Sequence, residues 1–180
     1  MDIIAHGLWA GVGAGLLQRR WTLSRRTVVL TVAMAVLPDL LQLLPIVGWA
    51  LFSREGLAAL GGYFQALPRF EPVLPPTVEL LVFHLHCVMH SAVVAGAATL
   101  LLWAAMRSLW IPLLGWWLHI VIDVFTHSAD FYPSPVLYPI TLRGFDGVAW
   151  NTLWFMVVNY VALAGAGAWL LWSRRQWQTP

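Results

Sequence analysis

The chain has 180 residues, of which 60% are hydrophobic and only 10% charged, with a mean hydropathy of +0.74. A soluble domain carries about 25% charged residues, so this composition excludes a water-coated globule and points to a bundle set in lipid. The net charge of +2 comes from short arginine clusters with no basic stripe, which argues against a nucleic-acid partner, and the single cysteine, Cys87, excludes an internal disulfide.

Apolar runs fall at 3–18, 27–51, 77–106, 109–126 and 148–172. A membrane helix needs ~20 residues, so the last four qualify and the first is short, either spanning or re-entrant. The expected fold is therefore all-α: one polytopic transmembrane bundle of about five segments, forming a single domain over residues 1–180. The start does not read as a cleavable signal peptide, because Asp2 stands in place of a basic region. The stretch 77–106 accommodates one tilted helix with an interfacial extension. Between the runs, 19–26 holds four arginines, 52–76 holds four prolines and a surface helix with Leu57, Leu60, Phe64 and Leu67 on one side, and 128–147 is a Pro/Tyr-rich loop. Placing the 19–26 arginines in the cytoplasm also places Arg107, Arg174 and Arg175 there, with the C-terminus inside and loops 52–76 and 128–147 outside. Gly7, Gly11 and Gly15 recur every four residues as ordinary packing positions, and Gly165 serves likewise in the last run.

Ionisable residues within these runs need partners or a purpose, since each costs a few kcal/mol to insert. His6 lies in the first run, Asp39 in the second just after Pro38, His84, His86 and His90 in the third, and His119 and Asp123 in the fourth, with His127 at its end. His86 and His90 are four apart, as are His119 and Asp123; such pairs stack on one helix face and can hold an ion from two sides of a turn. His84 points about 200° away from His86 at ~100° per residue, and Cys87 is also off the face, as a buried small hydrophobe. At ~1.5 Å per residue, His6, Asp39, His86 and His119 all fall roughly 8–13 Å below the outer ends of their segments, in one layer. Imidazoles with carboxylates and no thiolate suit a divalent ion, zinc first, with iron or manganese as alternatives. Glu79, nearer the surface, reads as a solvated end residue.

These motifs resemble a known family. MDIIAH at the start, LPD at 37–39, HCVMHS at 86–91, HIVIDVFTH at 119–127 and LYPI at 137–140 are similar to the pattern of the YdjM-like, LexA-regulated membrane-bound metal-dependent hydrolases. Ala5, Leu41 and Cys87 depart from that pattern, where threonine, aspartate and arginine are usual. The resemblance implies an inner-membrane enzyme with its metal on the matched histidines and aspartates. The expected ligands are thus His86, His90, His119 and Asp123, with His6 and Asp39 completing the shell or holding a second ion, and Asp39 as the general base. The expected activity is hydrolysis of an ester or phosphoester, with the lipid bilayer as partner and an amphiphilic or lipid-like substrate arriving from it at the outer face. The alternatives are a haem-binding protein and a metal- or proton-handling membrane protein without hydrolase activity.

Overall fold

The computed structural model describes residues 1–65 and 72–177, the side chains of Phe64 and 174–177 apart. Leu67, Pro68 and the Arg174 and Arg175 side chains lie outside the described residues. Among those described, seven helices and no strand form: α1 (Ile3–Leu17), α2 (Arg25–Ala50), α3 (Arg54–Gln65), α4 (Pro76–Met89), α5 (Ala92–Met106), α6 (Leu113–Thr126) and α7 (Leu153–Trp177).

Local chemistry explains most of the boundaries. Asp2 caps α1 by accepting from Ala5 N at 2.9 Å, and Ser24 caps α2 by accepting from Thr27 N at 3.0 Å, the usual way short oxygen side chains satisfy the first free amides. The α2–α3 turn closes on Gly56, where a Cβ would stand 2.7 Å from Ala50 Cα and N. On α3, Leu60 and Tyr63 pack inward against Leu43, Ile46 and Val82, whereas Leu57 is 60% exposed. The inward face is therefore set by residues 60 and 63, one step around from the expected Leu57–Leu60 side.

The number of membrane segments needs correcting. Among the described residues, two helices are long and apolar enough to cross a bilayer, α2 and Leu153–Ser173 of α7, or three if the bent pair α4–α5 is counted as one span. The first and fourth runs form α1 and α6, of 15 and 14 residues, which at 1.5 Å per residue are too short for a ~30 Å hydrocarbon core. The third run does not form one tilted helix. It breaks at His90–Ser91 with a bend of 59°, because Ser91 caps a new helix through Val94 N at 3.1 Å and Ala92 N bonds the Val136 carbonyl of the long loop at 2.8 Å.

The second helix is the hub, packed against α1, α3, α4 and α6, while α7 lies against α1. Its internal Pro38 cannot donate to the turn before it, a defect tolerated in membrane helices where neighbours re-satisfy the backbone. Gly7, Gly11 and Gly165 make no close approach, in keeping with ordinary packing positions: a Cβ on Gly7 would meet Val32 at 3.7 Å, and on Gly11 or Gly165 it would meet open space. The close approach is at Gly115, whose Cβ position lies against the Thr31 carbonyl and Ala35 amide of α2. Residues 127–152 connect α6 to α7, and the loop's Gly147, Val148 and Trp150 amides bond the His127, Phe125 and Thr126 carbonyls at 2.8–3.0 Å. The end of α6 is thereby tied down by main chain instead of water.

Candidate metal centre

Asp39, His90, His119 and Asp123 each offer a ligand atom such that all four lie within 4.8 Å of one another. This buried group can bind a metal ion. Three elements bring it together: α2 carries Asp39, α6 carries His119 and Asp123 one turn apart, and His90 is the last residue of the α4 turn, at φ −100° and ψ 12°. Two bonds lock α6 and α4 in place. Gly115 lets α6 approach α2 until His119 Nδ1 lies 2.8 Å from the Ala35 carbonyl, and Trp116 Nε1 donates to the Met89 carbonyl at 2.6 Å.

The ring nitrogens are sorted in the way metal-binding histidines require. His90 Nδ1 donates to the His86 carbonyl at 2.9 Å and His119 Nδ1 to the Ala35 carbonyl at 2.8 Å. With Nδ1 protonated, each ring presents its Nε2 lone pair to the centre, which is the tautomer that outer-shell carbonyls impose on ligating imidazoles. The two Nε2 atoms stand 3.0 Å apart, and each is 3.1 Å from Asp123 Oδ2. Asp39 Oδ1 lies 3.7 and 3.8 Å from the same nitrogens. Four electron-rich atoms facing one point repel unless a cation or protons stand between them. Ligands around a tetrahedral ion at ~2.0–2.1 Å would lie about 3.3 Å apart, close to the spacings observed. The carboxylate oxygens Asp39 Oδ2 and Asp123 Oδ2 are buried with no hydrogen-bond partner, as donors reserved for an ion would be.

His6, fully buried, stacks on His119 with ring centroids 3.8 Å apart and directs Nε2 to 2.9 Å from Asp123 Oδ1. His127 Nδ1 donates to the Tyr132 carbonyl at 2.6 Å, and its Nε2 is 3.5 Å from Asp123 Oδ1. The Met1 amino group donates to Asp123 Oδ1 and lies 3.1 Å from His127 Nε2. The expected residues His6, Asp39, His90, His119 and Asp123 are thus in mutual reach.

His86 is adjacent but turned elsewhere. Its ring lies 4.1 Å from that of His90, with Nδ1 3.0 Å from Gln42 Oε1 and Nε2 3.2 Å from the Pro133 carbonyl. Both contacts are to oxygens, so the neutral ring donates through whichever nitrogen carries its proton. His86→Ala is therefore expected to keep its bound metal within about twofold of the parent. It should lower the unfolding temperature by several degrees, because Gln42 and Pro133 lose a buried partner worth roughly 1–3 kcal/mol. Elemental analysis with thermal unfolding checks this, and loss of metal on this change alone would return His86 to the ligand set. His84 is exposed, with its ring against Phe83, and Cys87 is buried.

Asp39 also forms part of the wall of a cavity of about 350 Å³, otherwise lined mainly by apolar groups such as Ile3, Leu43, Phe131 and Trp150. The Tyr63 hydroxyl borders it, 2.7 Å from the Gln42 amide. Burial, with Tyr132 and Asp39 nearby, raises the Tyr63 phenol well above its ordinary pKa, so it remains a hydrogen-bond donor at neutral pH. Sequence reasoning missed Tyr63, Gln42 and Trp116. Gln42 left a faint signal, three residues beyond Asp39 on the same face of α2. No protein-family model, curated protein or solved structure matches this chain.

Proposed function

We propose that the chain is a membrane-embedded, metal-dependent hydrolase, with zinc the leading candidate ion and an amphiphilic ester or phosphoester as substrate. The observation that carries this reading is the position of Asp39. His90, His119 and Asp123 are completely buried, whereas Asp39 is 15% exposed and belongs both to the ligand group and to the cavity wall. A purely structural ion would be closed off on every side, whereas a catalytic one keeps a side open. When bound, the ion supplies Lewis acidity and brings the pKa of water down to ~7.

The chain's own groups then divide the remaining work. The apolar cavity takes the hydrocarbon part of the substrate and excludes water, as ligand sites with few polar groups do. Asp39 accepts a proton at its cavity edge, and Tyr63 donates a hydrogen bond to oxygen that gains negative charge. His90 and His119 are held in register by the His86 and Ala35 carbonyls, so little reorganisation is needed. Ring nitrogens 3.0 Å apart leave no room for a porphyrin plane between them, which disfavours haem. Zinc ranks first because the donor set is nitrogen and oxygen without thiolate. The inner membrane, with the arginine clusters inside, completes this reading, and the motif resemblance implies the same reaction class.

The test is turnover of water-soluble and long-chain esters and phosphodiesters by protein purified in detergent. Activity should vanish on chelation and return with the ion. Asp39→Asn should lower kcat by ~10²-fold or more in a protein that still unfolds cooperatively. Metal-loaded protein inert toward both substrate classes, or activity indifferent to chelation, would sink the proposal.

A further inference from the structure

The carboxylates of the centre have two sides, and only one faces His90 and His119. Asp123 turns Oδ2 to His90 and His119, and Oδ1 to His6 at 2.9 Å and His127 at 3.5 Å. Asp39 does the same, with Oδ1 toward His90 and His119 and Oδ2 4.0 Å from His6 Nε2. Two histidines therefore face each edge of Asp123, and His6 also faces the second edge of Asp39.

Independent signs at the second edge point to a ligand. His6 Nδ1 and the oxygen Asp39 Oδ2 are buried without a hydrogen-bond partner, a costly state unless something fills it. His127 is prepared as His90 and His119 are: a main-chain carbonyl holds its Nδ1 proton, and the Nε2 lone pair is turned to Asp123.

We infer a second divalent-cation position, held by His6, His127 and Asp123 Oδ1, which shares the Asp123 carboxylate with the first, leaves Asp39 Oδ2 at its edge as the proton acceptor, and makes the centre binuclear. The inference rests on the metal-centre reading above and adds His127 to the ligands. Paired ions about 3.5–4 Å apart clamp the attacking and leaving oxygens of a displacement at phosphorus, so a second ion favours phosphoesters over carboxylic esters as the substrate class.

The experiment loads the full-length chain in detergent with Mn²⁺, removes excess ion, and measures metal content and the electron paramagnetic resonance spectrum. Carboxylate-bridged Mn²⁺ ions couple magnetically, whereas isolated ions give separate six-line signals. The parent should hold about two equivalents with a coupled spectrum. His127→Ala should hold about one and show the isolated signal, with His127→Gln used if the alanine variant does not fold. One equivalent in the parent, or two uncoupled ones, overturns the second position and leaves the single-ion reading standing. Two equivalents retained in the folded His127 variant overturn the assignment of His127. No bound ion in any protein overturns both readings, so the two failures are distinguishable.

Discussion

His119→Ala should lose its metal, with an affinity at least ~10²-fold below the parent and essentially none retained through purification. The side chain acts at both ends: Nε2 is one of four converging donors, and Nδ1 bonds Ala35 on the facing helix at 2.8 Å. Disturbing an outer-shell partner alone typically costs 10–100-fold, so removing a ligand together with its anchor costs more. The change is best read as loss of linkage. An ion that binds only the folded state stabilises it by about 2.7 kcal/mol at a hundredfold excess over its dissociation constant. Added zinc should therefore raise the unfolding temperature of the parent and leave that of His119→Ala unmoved. The rival is a proton shared between His90 Nε2 and His119 Nε2 at 3.0 Å, the state of a proton-handling protein. In that case chelator and zinc shift neither protein, and the parent carries no metal. This comparison separates the two without any assay of activity.

The pair that proved easiest to read in the sequence is the one on an uninterrupted helix. His119 and Asp123 are a full turn apart within α6, and both point to the centre. His86 and His90 have the same spacing, but the helix ends between them: Met89 is the last residue of α4 and His90 has left helical geometry. Their rings still lie 4.1 Å apart, yet the shared-face rule places neither ring's nitrogens, and those of His86 go to Gln42 and Pro133. The break itself was legible in hindsight, since Ser91 followed by small apolar residues is a helix start, but the continuous hydrophobicity of 77–106 concealed it. Composition and run length signalled helices in a membrane, while the number of spans depended on where each helix stops. Caps and loop contacts such as Ala92 N to Val136 O decide that, and hydropathy does not register them. Tyr63 could not have been found, because its place beside Asp39 depends on how α3 folds back onto α2.

Gly115→Ala should be among the most damaging single changes outside the ligands, although it adds only a methyl group. In an isolated helix the substitution would stabilise by about 1 kcal/mol. Here the new Cβ would be driven against the Thr31 carbonyl oxygen, with Thr31 C and Ala35 N each 3.0 Å away. These are main-chain atoms of α2, so no side chain can swing aside, and the two helices must separate. Overpacking of this kind costs about 1–3 kcal/mol, which for a chain of this size lowers the unfolding temperature by roughly 2–12 °C. The consequence for the centre is larger than for the fold. Ala35 is both a residue that the methyl strikes and the acceptor that orients His119, so moving α6 outward lengthens the bond that sets the ligand's tautomer. Asp39 and Asp123 sit on the same two helices and are drawn apart with them. Metal affinity should therefore fall at least ~10-fold, the range for loss of an outer-shell partner. Thermal unfolding and metal analysis of Gly115→Ala check both parts, with Gly11→Ala, facing open space, as the control that should lose neither. A Gly115→Ala protein with parental metal content would mean that the α2–α6 contact does not position the site.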